Sequence, residues 1–323
     1  MCTAVTYRTA DHYFGRNLDL EYGYQESITV TPRYFPFPMR AVSPLDCHYA
    51  MVGMATVVDG YPLYYEATNE KGLSMAGLNF PGLAHYFPAD VNKDNIAPFE
   101  FIPWILGQCA DIPQARAALE RLNLVDIPFS QALPLSPLHW ILADRNTAIT
   151  VESTRDGLRI YDNPVGILTN NPPFDFHMYN LRNHMTLSPC PAENRFSPGF
   201  EMTQFSNGMG AIGLPGDLSS ASRFVRAAFM KLNSLSGTSE GESVGQFFHI
   251  LDSVAMPRGS VRMGDKQEIT RYSSCCNTDK GIYYYTTYDN RRIRAVDMHR
   301  IDLNSDTPIS YPLCDQQDFQ FQN

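Results

Sequence analysis

Met1-Cys-Thr-Ala-Val-Thr-Tyr-Arg-Thr9, and just beyond it Phe14-Gly-Arg-Asn-Leu-Asp-Leu-Glu-Tyr22, are the stretches on which the reading of this chain turns. Thr3–Thr9 carries β-branched and aromatic residues and reads as a strand. Cys2 has a small side chain, so removal of Met1 is expected. Cys2 would then hold a thiol and a free α-amine on one residue. An α-amine has a pKa of about 7.7–8.0 and can act as a base near neutral pH. Nucleophile and base together form the arrangement of an N-terminal nucleophile. The second stretch puts Arg16 and Asp19 in a strand or turn that follows at once. A carboxylate there can hold the amine or thiol, and an arginine can lower the thiol pKa. Standing alone, the same two residues read equally well as a surface ion pair.

The rest of the chain sets the frame. Its 323 residues are 44% apolar and 12% aromatic, enough to bury a large core and too apolar for intrinsic disorder. Twenty-five Lys and Arg against 34 Asp and Glu leave a net charge of −9, with no basic stripe, so no nucleic-acid partner is expected. Met1–Thr9 has neither the basic nor the apolar region of a secretory signal. No stretch approaches the roughly 20 apolar residues of a membrane span. A cytoplasmic protein with no membrane partner is expected. The seven cysteines are scattered, odd in number and without a Cys-x-x-Cys pair, which argues against structural zinc and a disulfide framework. No metal and no organic cofactor are expected.

Ser27–Thr31, Tyr49–Val58 and Leu73–Phe80 continue the strand pattern, and Phe99–Cys109 and Ile112–Asn123 read as helices. Strands return at His139–Ala143, Ala148–Glu152 and Leu158–Tyr161. Helices follow at Ala221–Leu232 and Ser243–Ala255, then a closing hairpin of Gly281–Tyr288 and Arg292–Met298. This order of strands, helices, strands, helices, strands is not a β-α-β alternation. It predicts an α+β layered fold in one domain over residues 1–323. Two motif matches fail on context. Gly208-Met-Gly-Ala-Ile-Gly213 is followed by Pro215 and Gly216 where a dinucleotide fingerprint needs a helix. Gly241-Glu-Ser-Val-Gly245 follows polar, turn-like residues where a serine elbow needs a buried strand. Ser239 or Glu240 reads there as a helix cap.

A resemblance now becomes visible. Met1-Cys-Thr, Phe14–Tyr22, Asn69-Glu-Lys-Gly-Leu73 and Ala76-Gly-Leu-Asn-Phe-Pro-Gly82 resemble the choloylglycine hydrolase family. So do Leu168-Thr-Asn-Asn-Pro172, Leu214-Pro-Gly-Asp-Leu-Ser-Ser-Ala-Ser-Arg-Phe224 and Gly281-Ile-Tyr-Tyr-Tyr285. Each block is weak alone; their order over nearly the whole chain is specific. The family contains bile salt hydrolases and penicillin V acylases, and the resemblance implies a four-layer αββα sandwich.

It also implies roles. Cys2 would attack the amide carbonyl and form a thioester, while its α-amine relays the proton to the leaving amine and then activates water. Asn170 would donate to the oxyanion through its side chain, with its neighbour Asn171 as the competing register. Asn79 would supply a second donor from its backbone. Asn at this position points toward bile salts, where Tyr would point toward penicillin V. Arg223 would order Cys2 by charge-assisted hydrogen bonds, with Arg226 as the alternative. Arg16 and Asp19 complete the expected catalytic set. Leu18, and loops around Tyr61–Tyr65 and Phe129–Leu138, would line a pocket for a bulky apolar acyl group, with Leu18, Tyr61, Tyr65, Phe129 and Leu138 as substrate contacts. The loop-rich segment 184–213 would help build a homotetramer. The implied substrates are glycine- or taurine-conjugated bile acids. The alternatives are a penicillin V acylase or another N-acyl amide hydrolase, and a non-catalytic bile-acid or lipid-binding protein.

Overall fold

The computed structural model describes residues 1–323. The chain opens with strands β1 (Cys2–Arg8), β2 (His12–Leu20), β3 (Ser27–Thr31), β4 (Met51–Val58), β5 (Tyr61–Asn69) and β6 (Ser74–Asn79). Next come β7 (Asp94–Ile96), helices α1 (Phe101–Gln108) and α2 (Ile112–Leu119), and β8 (Leu122–Leu124). Strands β9 (Leu138–Ala143), β10 (Ala148–Thr154), β11 (Gly157–Asp162) and β12 (Ile167–Leu168) lead to α3 (Phe174–Asn180), α4 (Ser220–Asn233) and α5 (Glu240–Asp252). The chain closes with β13 (Val261–Met263), β14 (Lys266–Asn277), β15 (Ile282–Thr287), β16 (Arg294–Asp297) and β17 (Ile309–Pro312).

These strands make two antiparallel sheets. The first runs β12-β1-β2-β14-β15-β16, with β13 added on β14; the second runs β11-β10-β9-β6-β5-β4-β3-β17. Beside them β7 and β8 form a short parallel pair. The two sheets face one another, α4 and α5 cover the first, and α1 and α2 cover the second, which is the αββα sandwich. One core cluster fills the space between the sheets and beneath α4 and α5, with Phe14, Val52, Leu78, Phe224, Phe247 and Tyr283 in it. A second cluster around Phe101, Trp104, Leu142 and Trp140 joins the second sheet to α1 and α2. Each such side chain contributes about 1.5–3 kcal/mol on leaving water.

The layered α+β order read from the sequence holds. Ser239 caps α5 in a capping box with Glu242, and Gly241-Glu-Ser-Val-Gly245 lies inside that helix rather than on a strand-end turn. Tyr61–Tyr65, expected as a loop, is the first half of β5. Pro62 sits where β5 pairs only with β4, because β6 joins β5 from Glu66 onward, so the missing N–H breaks no ladder. Of the expected wall loop at 129–138, Leu138 belongs to β9. The hairpin of β15 and β16 does not close the fold; β17 returns to pair with β3 at the edge of the other sheet. Strand β14 has no counterpart in the sequence reading, yet it sits at the centre of the first sheet.

Candidate active site

The start of β1 meets the ends of β2 and β6, the residues after β12, and the first turn of α4. Here Cys2 is buried, directly opposite Leu18 in the β1–β2 register. Neighbouring residues of β2 alternate between the two faces of the sheet. Arg16 reaches the opposite sheet, where its Nη1 donates to Gly77 O at 2.6 Å and Tyr65 O at 3.2 Å. Asn17 points the other way and donates to Leu251 O on α5. Asp19 shares this second face, beside Arg223 of α4.

Asn170 is the hub. Its Oδ1 accepts from Cys2 N–H and from Arg223 Nη2, both at 2.8 Å. Its Nδ2 donates to Asn79 O at 2.8 Å, and its backbone N–H donates to Ser220 Oγ at 2.8 Å. Arg223 also donates through Nη1 to Cys2 O and Thr3 Oγ1, each at 2.6 Å, and through Nε to Leu218 O at 3.0 Å. Asp19 Oδ1 accepts from Thr270 Oγ1 at 2.6 Å, and Oδ2 lies 4.0 Å from Arg223 Nη1. The Met1 ammonium donates to Asp19 O at 2.7 Å and pairs with the Glu268 carboxylate.

Arg16, Asp19 and Arg223 are all fully buried, so their charges answer to one another rather than to water. Burial pushes the Asp19 carboxyl up, against the pull of Arg223 and the hydrogen bond from Thr270. Burial lowers Arg223. Burial also opposes the charge of Arg16, but Cys2, Tyr272, Glu66 and Asp19 together raise it, so Arg16 stays charged. Arg16 Nε and Nη2 and Asp19 Oδ2 have no protein partner. The charged groups around Cys2 thus keep binding capacity to spare.

The competing assignments separate. Arg226 spends its donors on Ser253 O, Pro215 O and Asp217 O, away from Cys2. Asn171 donates to Pro81 O and does not reach Cys2. Asn79 joins through its carbonyl. Among the expected pocket residues, Leu18 faces Cys2, the Tyr65 carbonyl holds Arg16, and Leu138 pairs with Asn79 across β6 and β9. Tyr61 and Phe129 lie in an aromatic group with Phe37 and Phe99, their own rings 5.7 Å apart. Sequence reasoning passed over Thr270, Ser220, Glu66 and Glu268. Glu66 is a buried carboxylate 3.8 Å from Arg16 Nη1 that accepts from Tyr272, Tyr283 and Ser274. Three of its four partners lie on β14 or β15, far along the chain, and no local motif announces them. No three His, Cys, Asp or Glu side chains converge as metal ligands, and no helix is long and apolar enough to cross a membrane.

Known proteins share this sequence and this fold. The profile of the linear amide C–N hydrolases, choloylglycine hydrolase family, matches residues 2–311. The chain belongs to the choloylglycine hydrolase family. It is 54% identical over 314 residues to a bile salt hydrolase/transferase of Lactiplantibacillus plantarum, covering 97% of both chains. The C2A mutant of conjugated bile acid hydrolase from Clostridium perfringens superposes with a TM-score of 0.92 at 37% identity, over 100% of both chains. Penicillin V acylase from Agrobacterium tumefaciens shares the fold, with a TM-score of 0.74 at 19% identity, over 95% of this chain and 89% of that one.

Proposed function

We propose that this chain is a bile salt hydrolase that cleaves the amide bond of glycine- or taurine-conjugated bile acids through a thioester on Cys2. The observation that carries the reading is the convergence of Cys2, Asn170, Asn79 and Arg223 in one hydrogen-bonded cluster, on a chain aligned over 97% of its length with a bile salt hydrolase/transferase. With Met1 removed, the nitrogen that now donates to Asn170 becomes the α-amine. It takes the thiol proton as Sγ attacks the carbonyl carbon. The Asn170 amide, now turned to Asn79 O, supplies a donor for the developing oxyanion. The amine passes the proton to the departing glycine or taurine nitrogen as the C–N bond breaks. It then deprotonates the water that opens the thioester. Arg223 and Asp19 hold this amine-bearing end of β1. Arg16, charged and with two nitrogens free of protein partners, faces the thiol side. Leu18, Tyr65, Leu138, Tyr61 and Phe129 are the proposed contacts of the acyl group, the last two through their aromatic rings.

The reading extends to assembly and compartment. Segment 184–213 exposes Met185, Phe196, Phe200, Phe205 and Ile212, with Phe196 and Phe205 at 82% and 87% exposure. Apolar rings held this far into water suit a protein partner, and a second copy of the chain in a cytoplasmic homotetramer is the partner proposed. Sedimentation of the wild type and of Phe196→Asp/Phe205→Asp checks this: a monomer in both would remove the assembly role.

The deciding experiment measures free glycine and taurine released from glycocholate and taurocholate, with penicillin V in parallel and Cys2→Ala as the blank. Release that vanishes in Cys2→Ala is expected. Cleavage of penicillin V alone would keep the chemistry and discard the substrate. Tight bile-salt binding without turnover by a free, unoxidised Cys2 would leave a binding protein.

A further inference from the structure

Two buried imidazoles stand behind Asn170. His177 Nε2 lies 2.9 Å from Asn170 O, and His139 Nε2 lies 3.0 Å from Thr169 O. A carbonyl only accepts, so each Nε2 carries a proton. Both rings are fully buried. Burial holds His177 down to about 4, so near neutral pH it is an uncharged donor. The Nδ1 of His139 faces Glu152 Oε1 at 3.0 Å, and the same oxygen accepts from Phe174 N–H. That carboxylate fixes the orientation of the His139 ring.

The stacking of the rings gives the arrangement its meaning. His177 lies flat on Phe224, with centroids 4.7 Å apart and planes 16° apart; His139 lies flat on Phe80, at 4.3 Å and 8°. Phe224 follows Arg223 in the chain, and Phe80 follows Asn79. Each imidazole therefore grips one carbonyl of the Thr169–Asn170 segment and a ring adjoining another member of the cluster. Three chain segments, 79–80, 169–170 and 223–224, are held in register through two side chains from α3 and β9.

We propose that His139 and His177 are positioning residues that clamp Asn170 for oxyanion binding, an inference resting on the proposed role of Asn170. Asn170 follows a strand of only two residues, β12, so sheet pairing alone fixes it weakly. Its side chain bonds to three groups that must stay mutually placed during the reaction. A misplacement of about 1 Å can cost roughly 100-fold in rate.

The test uses His177→Phe, which keeps a flat ring against Phe224 but removes the donor, His177→Gln, which restores one, and His139→Gln. Four quantities are read: kcat, KM, the rate of Cys2 alkylation by iodoacetamide, and hydrogen-exchange protection of the Asn170 amide in unliganded protein. His177→Phe is expected to lower kcat roughly 10- to 100-fold with KM little changed, the split that marks a loss confined to the transition state. Alkylation should stay at the wild-type rate and Asn170 protection should fall. His177→Gln should regain most of both losses. A His177→Phe enzyme with wild-type kcat and wild-type protection would overturn the clamp. So would a kcat loss matched by an equal loss of alkylation and unrepaired by Gln, because that pattern is general loosening of the core. If the Phe variant does not fold, His139→Gln decides by the same readouts, with unchanged protection of Asn170 counting against the clamp. Exchange protection needs no substrate, so it reports on the clamp even if wild-type protein releases no glycine or taurine. That release separately tests the reading beneath it.

Discussion

Asp19 is a fully buried carboxyl, and beside Arg223 and the chain terminus one hydroxyl helps to keep it charged. Thr270 Oγ1 donates to Asp19 Oδ1 at 2.6 Å and accepts from Met256 N–H at 2.8 Å, so its proton can point only toward Asp19. Burial already pushes the Asp19 carboxyl up, and this hydrogen bond pulls it back. In Thr270→Val the pull is lost while the shape is kept. The Asp19 pKa should rise, and the acid limb of the pH–rate profile should move to higher pH. Hydrogen bonds to charged groups contribute about 1.5–3 kcal/mol, so a stability loss of that order is expected in urea unfolding above the titration of Asp19. A superimposable acid limb in wild type and variant would detach Asp19 from catalysis. The Cys2 nitrogen allows an equally direct test. In the structure it is a peptide nitrogen whose single hydrogen already goes to Asn170 Oδ1. A chain with a non-removable residue ahead of Cys2 keeps that bond but has no amine lone pair to take the thiol proton. Turnover should disappear in mass-verified extended protein; retained turnover would mean that the α-amine is not the base.

At the scale of elements, the first sheet depends on how closely β2 and β14 approach. Gly15 lies on β2 with its missing side chain against the Ser274 carbonyl and the Cys275 Cα. A methyl group there would run into backbone that cannot swing aside. Gly15→Ala should therefore separate the strands, weaken the Asn17–Ser273 and Asp19–Thr270 bonds they carry, and lower stability by more than about 3 kcal/mol, in the range of severe core changes. A melting temperature equal to wild type would contradict this packing. The same pair of strands explains what the sequence did and did not disclose. Strand β1 is legible because β-branched and aromatic residues crowd it, and the residues that gather around Cys2 are legible because short ordered motifs carry them. Strand β14 was not. Its sequence, Lys-Gln-Glu-Ile-Thr-Arg-Tyr-Ser-Ser-Cys-Cys-Asn, lacks an apolar stripe because its inward positions serve polar groups: Thr270 holds Asp19, Ser273 holds Asn17, and Ser274 and Tyr272 hold Glu66. A strand built to satisfy buried charges looks like a loop until its partners are known. Pro62 hid β5 for a related reason, since only the pairing pattern reveals that its missing donor is harmless. His139 and His177 carried no motif at all; each turns its Nε2 to a backbone carbonyl, which leaves no trace in a sequence.

The whole molecule must stay folded around several groups that burial keeps from titrating normally, and His12 isolates the consequence. It is 3% exposed at the end of the first hairpin, far along β1 from Cys2, with Nδ1 against Thr278 Oγ1 at 2.8 Å. Burial lowers it from 6.5 to about 4; Asp279 and Asp144 favour its charge, and Lys231 and Arg145 oppose it. Between those two values the unfolded chain binds a proton at this site that the native chain refuses. Stability therefore rises with pH through the window and is lost as pH falls from about 6.5 toward 4, with a slope near 1.4 kcal/mol per pH unit and a total of about 3 kcal/mol. His177 adds a term of the same sign, since burial also holds it to about 4. Asp19 and Glu66 act in the opposite sense, because burial raises both and their native forms bind protons more readily than the unfolded chain does. The wild-type profile sums all of these, so the contribution of His12 is read by difference. Urea unfolding of wild type and His12→Gln at intervals from pH 4 to 7 should give curves that converge toward acid and diverge toward neutral pH. The variant slope should be shallower by close to one proton across the window. Parallel curves would mean that His12 titrates alike in the native and unfolded chains, and that the acid sensitivity of this fold lies in other groups.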